Sequence, residues 1–369
     1  MALTNDPCYS IVDIRLLLEY HDSYSSVLLY FNFVMSIITC LVGLVGNAVV
    51  ICFLGFIMKK PKSRYWFLNL SIADFFFLLT LPLQAISDLK GTWTFGPHMC
   101  KLSIFCLFAN MYASILILIG LNIARVLSVA QPMFHHKFIS QHVSFWVCIL
   151  IWFIAILFSL PVIYYSGEMN IGEIIICNHL YSKNFSSVIV NNGYNASSKN
   201  TTRGNFISDI YTKLNPYIEQ CSSDTCCGGE ETLDSWNHMM FTSKRISIPF
   251  LIIGYFIPLG IVIICNITIA VHVRKSKTVN PHRLYQVVLV IIMMFFITWT
   301  PAVIAEIMLF IAIHNMNLIT MFNVFSLMPL FNNFIYANSC LNPIVYVLTG
   351  GQIRSGLSDF INSIRNKYI

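Results

Sequence analysis

The chain has 369 residues, of which 57% are hydrophobic and only 10% charged, with a formal net charge of +6. Soluble domains carry about 25% charged residues, so this much apolar surface cannot be hidden inside a water-soluble globule of this length, and lipid is the simpler solvent. The surplus of positive charge would fit a nucleic-acid partner only if it were gathered on one surface. Instead it follows a loop pattern, described below, and no nucleic-acid partner is expected.

A membrane span needs roughly 20 consecutive apolar residues, and seven such stretches occur in chain order. They are about 27–58, 66–89, 98–130, 143–166, 246–273, 283–313 and 318–348, here called helices 1 to 7. Backbone groups in lipid must bond within their own segment, and the runs lack the alternation of barrel strands, so the fold class is an all-α bundle of seven transmembrane helices. Three parts follow: an N-terminal segment 1–26, the membrane domain 27–348 and a short tail 349–369. Residues 1–25 carry Asp6, Asp13, Glu19 and Asp22 and lack the apolar core of a secretory signal. Helix 1 is then expected to act as its own insertion signal.

Lysine and arginine set the orientation. Lys59, Lys60, Lys62 and Arg64 follow helix 1, and Arg125 and Lys137 lie at and beyond the end of helix 3. Arg274, Lys275, Lys277 and Arg283 lie between helices 5 and 6, and Arg354, Arg365 and Lys367 lie in the tail. One acid, Asp359, shares that side, whereas Glu219, Asp224, Glu230, Glu231 and Asp234 lie on the other. The expected topology is a multi-pass plasma-membrane protein with its N-terminus extracellular and its tail in the cytoplasm. Contact with membrane lipid headgroups is the ordinary reading of each basic cluster.

The long polar insertion, residues 167–245, then becomes the second outer loop. Loops of this length are usually functional or disordered. It holds three glycosylation sequons, at Asn184, Asn195 and Asn200. Two further sequons, at Asn69 and Asn266, fall inside helices, where the glycosylation machinery has no access. Cys40, Cys52, Cys106, Cys148, Cys265 and Cys340 lie in helices and are expected to be small buried hydrophobes. The even set Cys8, Cys100, Cys177, Cys221, Cys226 and Cys227 lies on the oxidising side.

Each helix carries a short signature. Helix 1 has Gly46-Asn47-Ala48-Val49 and helix 2 has Leu70-Ser71-Ile72-Ala73-Asp74. Trp93-Thr94-Phe95-Gly96 precedes Cys100 at the start of helix 3. Helix 4 has Trp152 and Pro161, and helix 5 has Pro258. Helix 6 reads Phe295-Phe296-Ile297-Thr298-Trp299-Thr300-Pro301, and helix 7 ends in Asn342-Pro343-Ile344-Val345-Tyr346. The ordered set over about residues 27–366 resembles the rhodopsin-class G-protein-coupled receptors. Met58-Lys59-Lys60 with Trp66-Phe67-Leu68-Asn69-Leu70, and Ala337 to Val347, are more closely similar to the chemoattractant group of chemerin, formyl-peptide and anaphylatoxin receptors.

The resemblance implies a receptor, not an enzyme, with a short amphipathic helix 8 in 349–369. It implies a disulfide between Cys100 and Cys177, leaving Cys8, Cys221, Cys226 and Cys227 to pair in one of three ways, of which a bond between adjacent Cys226 and Cys227 is disfavoured. Asp74, an intramembrane carboxylate and so a functional hypothesis by default, would form an internal sodium pocket with Asn110, Ser114, Asn338, Ser339 and Asn342. A protonated Asp74 in a hydrogen-bonded network is the alternative, and no other cofactor is expected. Pro258, Pro301 and Pro343 each remove a helix hydrogen bond. With Trp299 and Tyr346 they make up the implied activation switch.

Three departures from the family pattern stand out. Arg125, the implied G-protein coupling residue, sits in Ala124-Arg125-Val126 where the family has Asp-Arg-Tyr, and Asn266 stands where the family usually has a tyrosine. In the outer pocket, Phe250 replaces the carboxylate-binding arginine of the group, with Lys244 and Arg245 as candidate substitutes. Leu107 stands where amine receptors have an aspartate, and helix 7 has no lysine for a retinal Schiff base. The expected ligand-binding residues are Glu306, Trp299, Leu107, Phe108, Met111 and Gln84, with Glu306 the polar candidate and a water-facing rim carboxylate its alternative.

The implied function is reception of an extracellular peptide or small protein chemoattractant, with signalling, in part constitutive, through a heterotrimeric G protein. One rival is an atypical, scavenger or viral decoy receptor that binds without coupling. Another, from a different class, is a transporter. The sequence shows no internal repeat of the kind transporters carry, and no His-Glu-x-x-His or Gly-x-Ser-x-Gly pattern.

Overall fold

The structure, a computed structural model, describes residues 8–10, 26–57, 64–138, 140–171, 174–179, 225–227, 230–275 and 283–349. Helix 1 runs Ser26–Cys52 and continues as a π-helical turn, Phe53–Ile57. Helix 2 is Arg64–Lys90, helix 3 Pro97–Ala130 and helix 4 Gln141–Tyr165. A short helix, Pro132–Phe138, separates helices 3 and 4. Helix 5 is continuous from Glu230 to Lys275, with a π-helical stretch at Phe250–Phe256. Helix 6 is Arg283–His314 and helix 7 Leu318–Thr349. Among the described residues, six of these helices are by length and composition able to cross a membrane. The seventh, Leu318–Thr349, completes the bundle against helices 6, 1 and 2.

Helix 3 is the axis. It packs on helices 2, 4, 5 and 6, and its Ala113, Ile115, Ile117 and Leu118 are essentially inaccessible. Gly96 at φ 82° turns the chain in a left-handed conformation, and Pro97 then opens the helix. Ser140 caps helix 4, its hydroxyl accepting from the Val143 N–H at 3.3 Å. The other surface of the bundle is apolar and outward: Val45, Trp146, Phe153 and Ile264 are all more than half exposed. That inversion suits hydrocarbon.

Small and polar residues bring the helices together, as expected where lipid provides no hydrophobic drive between them. A Cβ on Gly120 would collide with the Trp66 ring, so this glycine lets helices 2 and 3 approach closely. The Trp152 ring N–H of helix 4 donates to Asn69 Oδ1 of helix 2 at 2.9 Å, and the Asn69 amide donates to the Tyr65 carbonyl at 2.7 Å. The Asn266 amide donates to the Val262 carbonyl at 2.8 Å. Both internal sequons are thus occupied by helix packing or helix backbone. Asn333 of helix 7 donates to Asn32 and accepts from Ser36, fastening helix 1 to helix 7.

Two expectations change. Residues 230–245, read as the end of the outer loop, are helical. Their inward positions, Trp236, Met239, Thr242 and Ser243, continue into Ile246 and Ser247, recur at intervals of three and four and are buried. Trp236 and Met239 pack against Ala305, Leu309 and Ile313 of helix 6 and Met321 and Val324 of helix 7. Asp234, Lys244 and Arg245, which help make the stretch look like a loop, are exposed on its other face. The helical cysteines are also less uniform than expected: Cys40, Cys148 and Cys265 are buried, Cys106 and Cys340 half-buried, and Cys52 exposed.

Two antiparallel pairs of strands lie outside the helices. Strand β2 (Gly167–Ile171) pairs with β3 (Ile174–Asn178) as a hairpin between helices 4 and 5. Strand β1 (Cys8–Ser10) pairs with β4 (Thr225–Cys227), just before helix 5.

Candidate functional site

The hairpin is held over the helix ends by covalent and hydrogen bonds. Cys100 at the start of helix 3 and Cys177 of β3 form a disulfide with Cα atoms 5.5 Å apart. The Trp93 backbone N–H donates to the Ile175 carbonyl at 2.7 Å, and the Ile175 N–H donates to the Thr92 hydroxyl at 3.1 Å. The Trp93 side chain is wholly buried, its ring N–H satisfied by the Gly96 carbonyl at 3.0 Å and its ring in a T-shaped contact with Phe95. The Trp93-Thr94-Phe95-Gly96 signature is thus the seat of the hairpin.

That seat fixes His179, two residues past the disulfide, above the bundle. Glu306 of helix 6 is buried, 8% exposed, and is not a water-facing rim carboxylate. Its Oε1 accepts from the Ser247 hydroxyl of helix 5 at 2.5 Å and lies 3.5 Å from His179 Nε2. Ser247 also shares a hydrogen bond with Ser243 at 3.3 Å. Loop, helix 5 and helix 6 therefore converge on one carboxylate.

Aromatic rings continue the contact inward. The His179 ring lies 6.0 Å from Phe108, Phe108 lies 5.7 Å from Phe250, and Phe250 lies 6.4 Å from Trp299. Trp299 is buried, stacks on Phe295 at 5.6 Å, and its ring N–H has no hydrogen-bond partner among the described residues. The Thr300 hydroxyl donates to the Phe296 carbonyl, so Tyr255 is the donor in its 2.7 Å bond to Thr300. A tie between helices 5 and 6 thus sits one residue before Pro301.

Of the other expected pocket residues, Met111 is buried and its side chain fills the space left by Gly254 in the π-helical stretch of helix 5. Leu107 is half-buried against the core. Gln84 donates along its own helix to Asp88 at 3.0 Å and makes no hydrogen bond with the Glu306 group. Lys244 and Arg245 do not replace the missing arginine. Both are exposed, on the outer face of helix 5, and Arg245 rests on the Phe241 ring at 4.4 Å. His179 and Ser247 have no sequence signature of their own. A serine every fourth residue on the buried face of helix 5 is the one signal that could have pointed to Ser247.

Deeper, Asp74 is fully buried and Asn342 donates to its Oδ2 at 2.7 Å. Asn110 joins the cluster whichever way its amide is turned. One orientation donates to Ser339 Oγ at 3.3 Å, and the other to the Ala73 carbonyl and Asp74 Oδ1, each at 3.3 Å. The Ser114 hydroxyl lies 3.3 Å from the Asn110 amide. The Asn47 amide donates to the Gly43 and Ser339 carbonyls, both at 2.9 Å, which closes helix 1 onto helix 7. Asn338 is buried, and its Oδ1 has no hydrogen-bond partner among the described residues. All five expected neighbours of Asp74 are therefore buried, and four of them form one hydrogen-bonded group with it.

At the inner end of helix 3, Arg125 is half-buried and no carboxylate among the described residues pairs with it. Pro301 and Pro343 lie inside their helices without ending them. The Tyr346 side chain, the three loop sequons and the tail with helix 8 lie outside the described residues.

The same chain matches the family described as 7 transmembrane receptor (rhodopsin family) over residues 46–198 and 208–346. It is 28% identical to human chemerin-like receptor 1 over 321 residues, covering 85% of this chain and 73% of that receptor. It is 28% identical to human chemerin-like receptor 2, covering 86% of this chain and 76% of that one. Bovine chemerin-like receptor 1 is 29% identical, with 85% and 75% covered. With seven helices, a disulfide-bonded hairpin and these matches, the chain belongs to the rhodopsin family of seven-transmembrane G-protein-coupled receptors, multi-pass membrane proteins that are receptors and not enzymes, and it is similar to the chemerin-like receptors.

Proposed function

We propose that this receptor sits in the plasma membrane with its N-terminus outside, binds a peptide or small protein chemoattractant, and signals through a heterotrimeric G protein. The observation that carries the reading is the convergence on Glu306. A single buried carboxylate touches the outer hairpin through His179 and helix 5 through Ser247, at the head of an aromatic series that reaches Trp299 in helix 6. A cationic group on a ligand competes with His179 for Glu306 and changes the packing of Phe108 and Phe250 on Trp299. A ligand that fits the state with helix 6 swung outward shifts the population to it, and that state binds the G protein better. The ligand class follows the relatives, which are named chemerin-like receptors. Arg125, at the inner end of helix 3, is the coupling residue in this reading.

An internal sodium ion belongs to the same proposal. The donor set suits a hard cation: one carboxylate, two serine hydroxyls and the unpartnered Asn338 Oδ1, all buried. The ion would favour the resting arrangement of helices 2, 3 and 7 around Asp74. A second-messenger assay against a panel of chemoattractant peptides tests the function. A dose-dependent response to a basic peptide supports it. Saturable binding and uptake, with no second messenger under any ligand, would replace it with a non-coupling receptor.

A further inference from the structure

The register of β1 and β4 bears on the cysteines that the hairpin bond leaves over. Cys8 stands directly opposite Cys227, Tyr9 opposite Cys226 and Ser10 opposite Thr225. Residues that oppose one another in an antiparallel pair have Cα atoms about 4.5–5.5 Å apart, inside the 4.4–6.8 Å span that a disulfide accepts. Successive positions of a strand serve opposite faces of the sheet, so Cys226 is out of register for Cys8. We infer that Cys8 and Cys227 form a second disulfide, tying the N-terminal segment to the outer loop immediately before helix 5. The inference rests on the proposed orientation, which puts both strands on the oxidising side.

The chemistry is thiol–disulfide exchange in the secretory compartment. The two thiols lose two protons and two electrons to form one S–S bond, and a donor protein disulfide takes them up as two thiols. The result differs in kind from the Cys100–Cys177 bond. That bond holds the start of the loop to helix 3, whereas this one holds its end to the N-terminus. Helix 5 begins at Glu230, three positions beyond Cys227, while helix 1 begins at Ser26. Among the described residues, helix 1 packs on helices 2 and 7, and helix 5 packs on helices 3, 4 and 6. The chain from Cys8 to helix 1 is thereby anchored at both ends, on two sides of the mouth of the bundle, where a large ligand must enter.

The test uses one cut in the loop. A specific protease site is inserted between residues 203 and 204 of the full chain, free thiols are blocked with a maleimide, and the receptor is cleaved in detergent. Cys100 and Cys177 both lie on the N-terminal fragment, so they cannot join the halves. The expected result is a full-length band without reductant and two fragments with it. Cys8→Ser and Cys227→Ser separate without reductant, and Cys226→Ser does not. Fragments that separate without reductant in the parent chain overturn the inference. So does separation in Cys226→Ser with retention in Cys227→Ser. Mass mapping of the uncut parent chain must find Cys8 and Cys227 in one linked peptide, which guards against variants that misfold. Protease added to intact cells reads the orientation separately: failure to cut there, with Cys100 also found as a free thiol, would remove the orientation and the tether together.

Discussion

His179 of the outer hairpin and Glu306 of helix 6 face each other at 3.5 Å, with the serine of helix 5 completing the carboxylate's contacts. Glu306→Gln keeps the shape and removes the charge. Hydrogen bonds to charged groups contribute roughly 1.5–3 kcal/mol, so a basic agonist should lose about tenfold or more in affinity and a neutral one much less. His179→Ala removes the competitor and should strengthen the basic agonist. Competition binding on membranes measures both. Equal losses for charged and neutral ligands in Glu306→Gln would show that the residue acts through packing alone.

Helix 5 supplies the second prediction. Trp236 is 2% exposed and joins helix 5 to helices 6 and 7, above the stretch that hydropathy marks as a span. Trp→Ala in a packed core costs about 3–5 kcal/mol. Trp236→Ala should lower the melting temperature of the solubilised receptor and reduce its surface level. Asp234→Ala, at an exposed position two residues away, should do neither. Equal behaviour of the two would mean that this part of the helix is not packed in the membrane-embedded protein.

The spans were legible because lipid demands long apolar runs, and the signatures were legible because each sits at a fixed depth. Trp93 and Cys100, Asn342 and Asp74 all lie where the family pattern puts them. The top of helix 5 was not legible from hydropathy, since Lys244 and Arg245 dilute a stretch whose buried face is periodic. The same periodicity, at 3.6 residues per turn, places those two residues about 120–140° from Phe250 and so rules them out as pocket cations, as their exposure confirms. His179 could not be found this way. Its position depends on a disulfide and on backbone bonds from Trp93 and Ile175, and no local pattern encodes where a loop residue is set down.

The Asp74 cluster gives a third prediction. Binding of agonist should weaken several-fold when sodium chloride replaces an equal concentration of a bulky organic cation salt, and Asp74→Asn should abolish the difference. The amide keeps the hydrogen-bonding shape toward Asn342 and loses the charge that would hold the ion. Agonist competition binding in the two salts is the measurement. Sodium sensitivity that persists in Asp74→Asn would move the ion elsewhere or dismiss it.

The fourth prediction concerns the inner end of helix 3. In the related receptors an aspartate beside the helix 3 arginine restrains it by a charge-assisted bond. Here Ala124 occupies that place, and no carboxylate among the described residues pairs with Arg125. Losing the restraint favours the open state by on the order of 1 kcal/mol or more. Asn266, in place of tyrosine, weakens the open state as well, since it is shorter and its amide already donates to the Val262 carbonyl at 2.8 Å. The first effect is the larger: asparagine keeps a polar side chain at its position, whereas alanine has none. The parent receptor should therefore signal without ligand, and Ala124→Asp should lower that signal roughly fivefold, the ratio that about 1 kcal/mol corresponds to. Basal second messenger at matched surface expression is the readout. A silent parent chain whose signal rises in Asn266→Tyr would show that the weakened open state dominates, and would favour the receptor that binds without coupling.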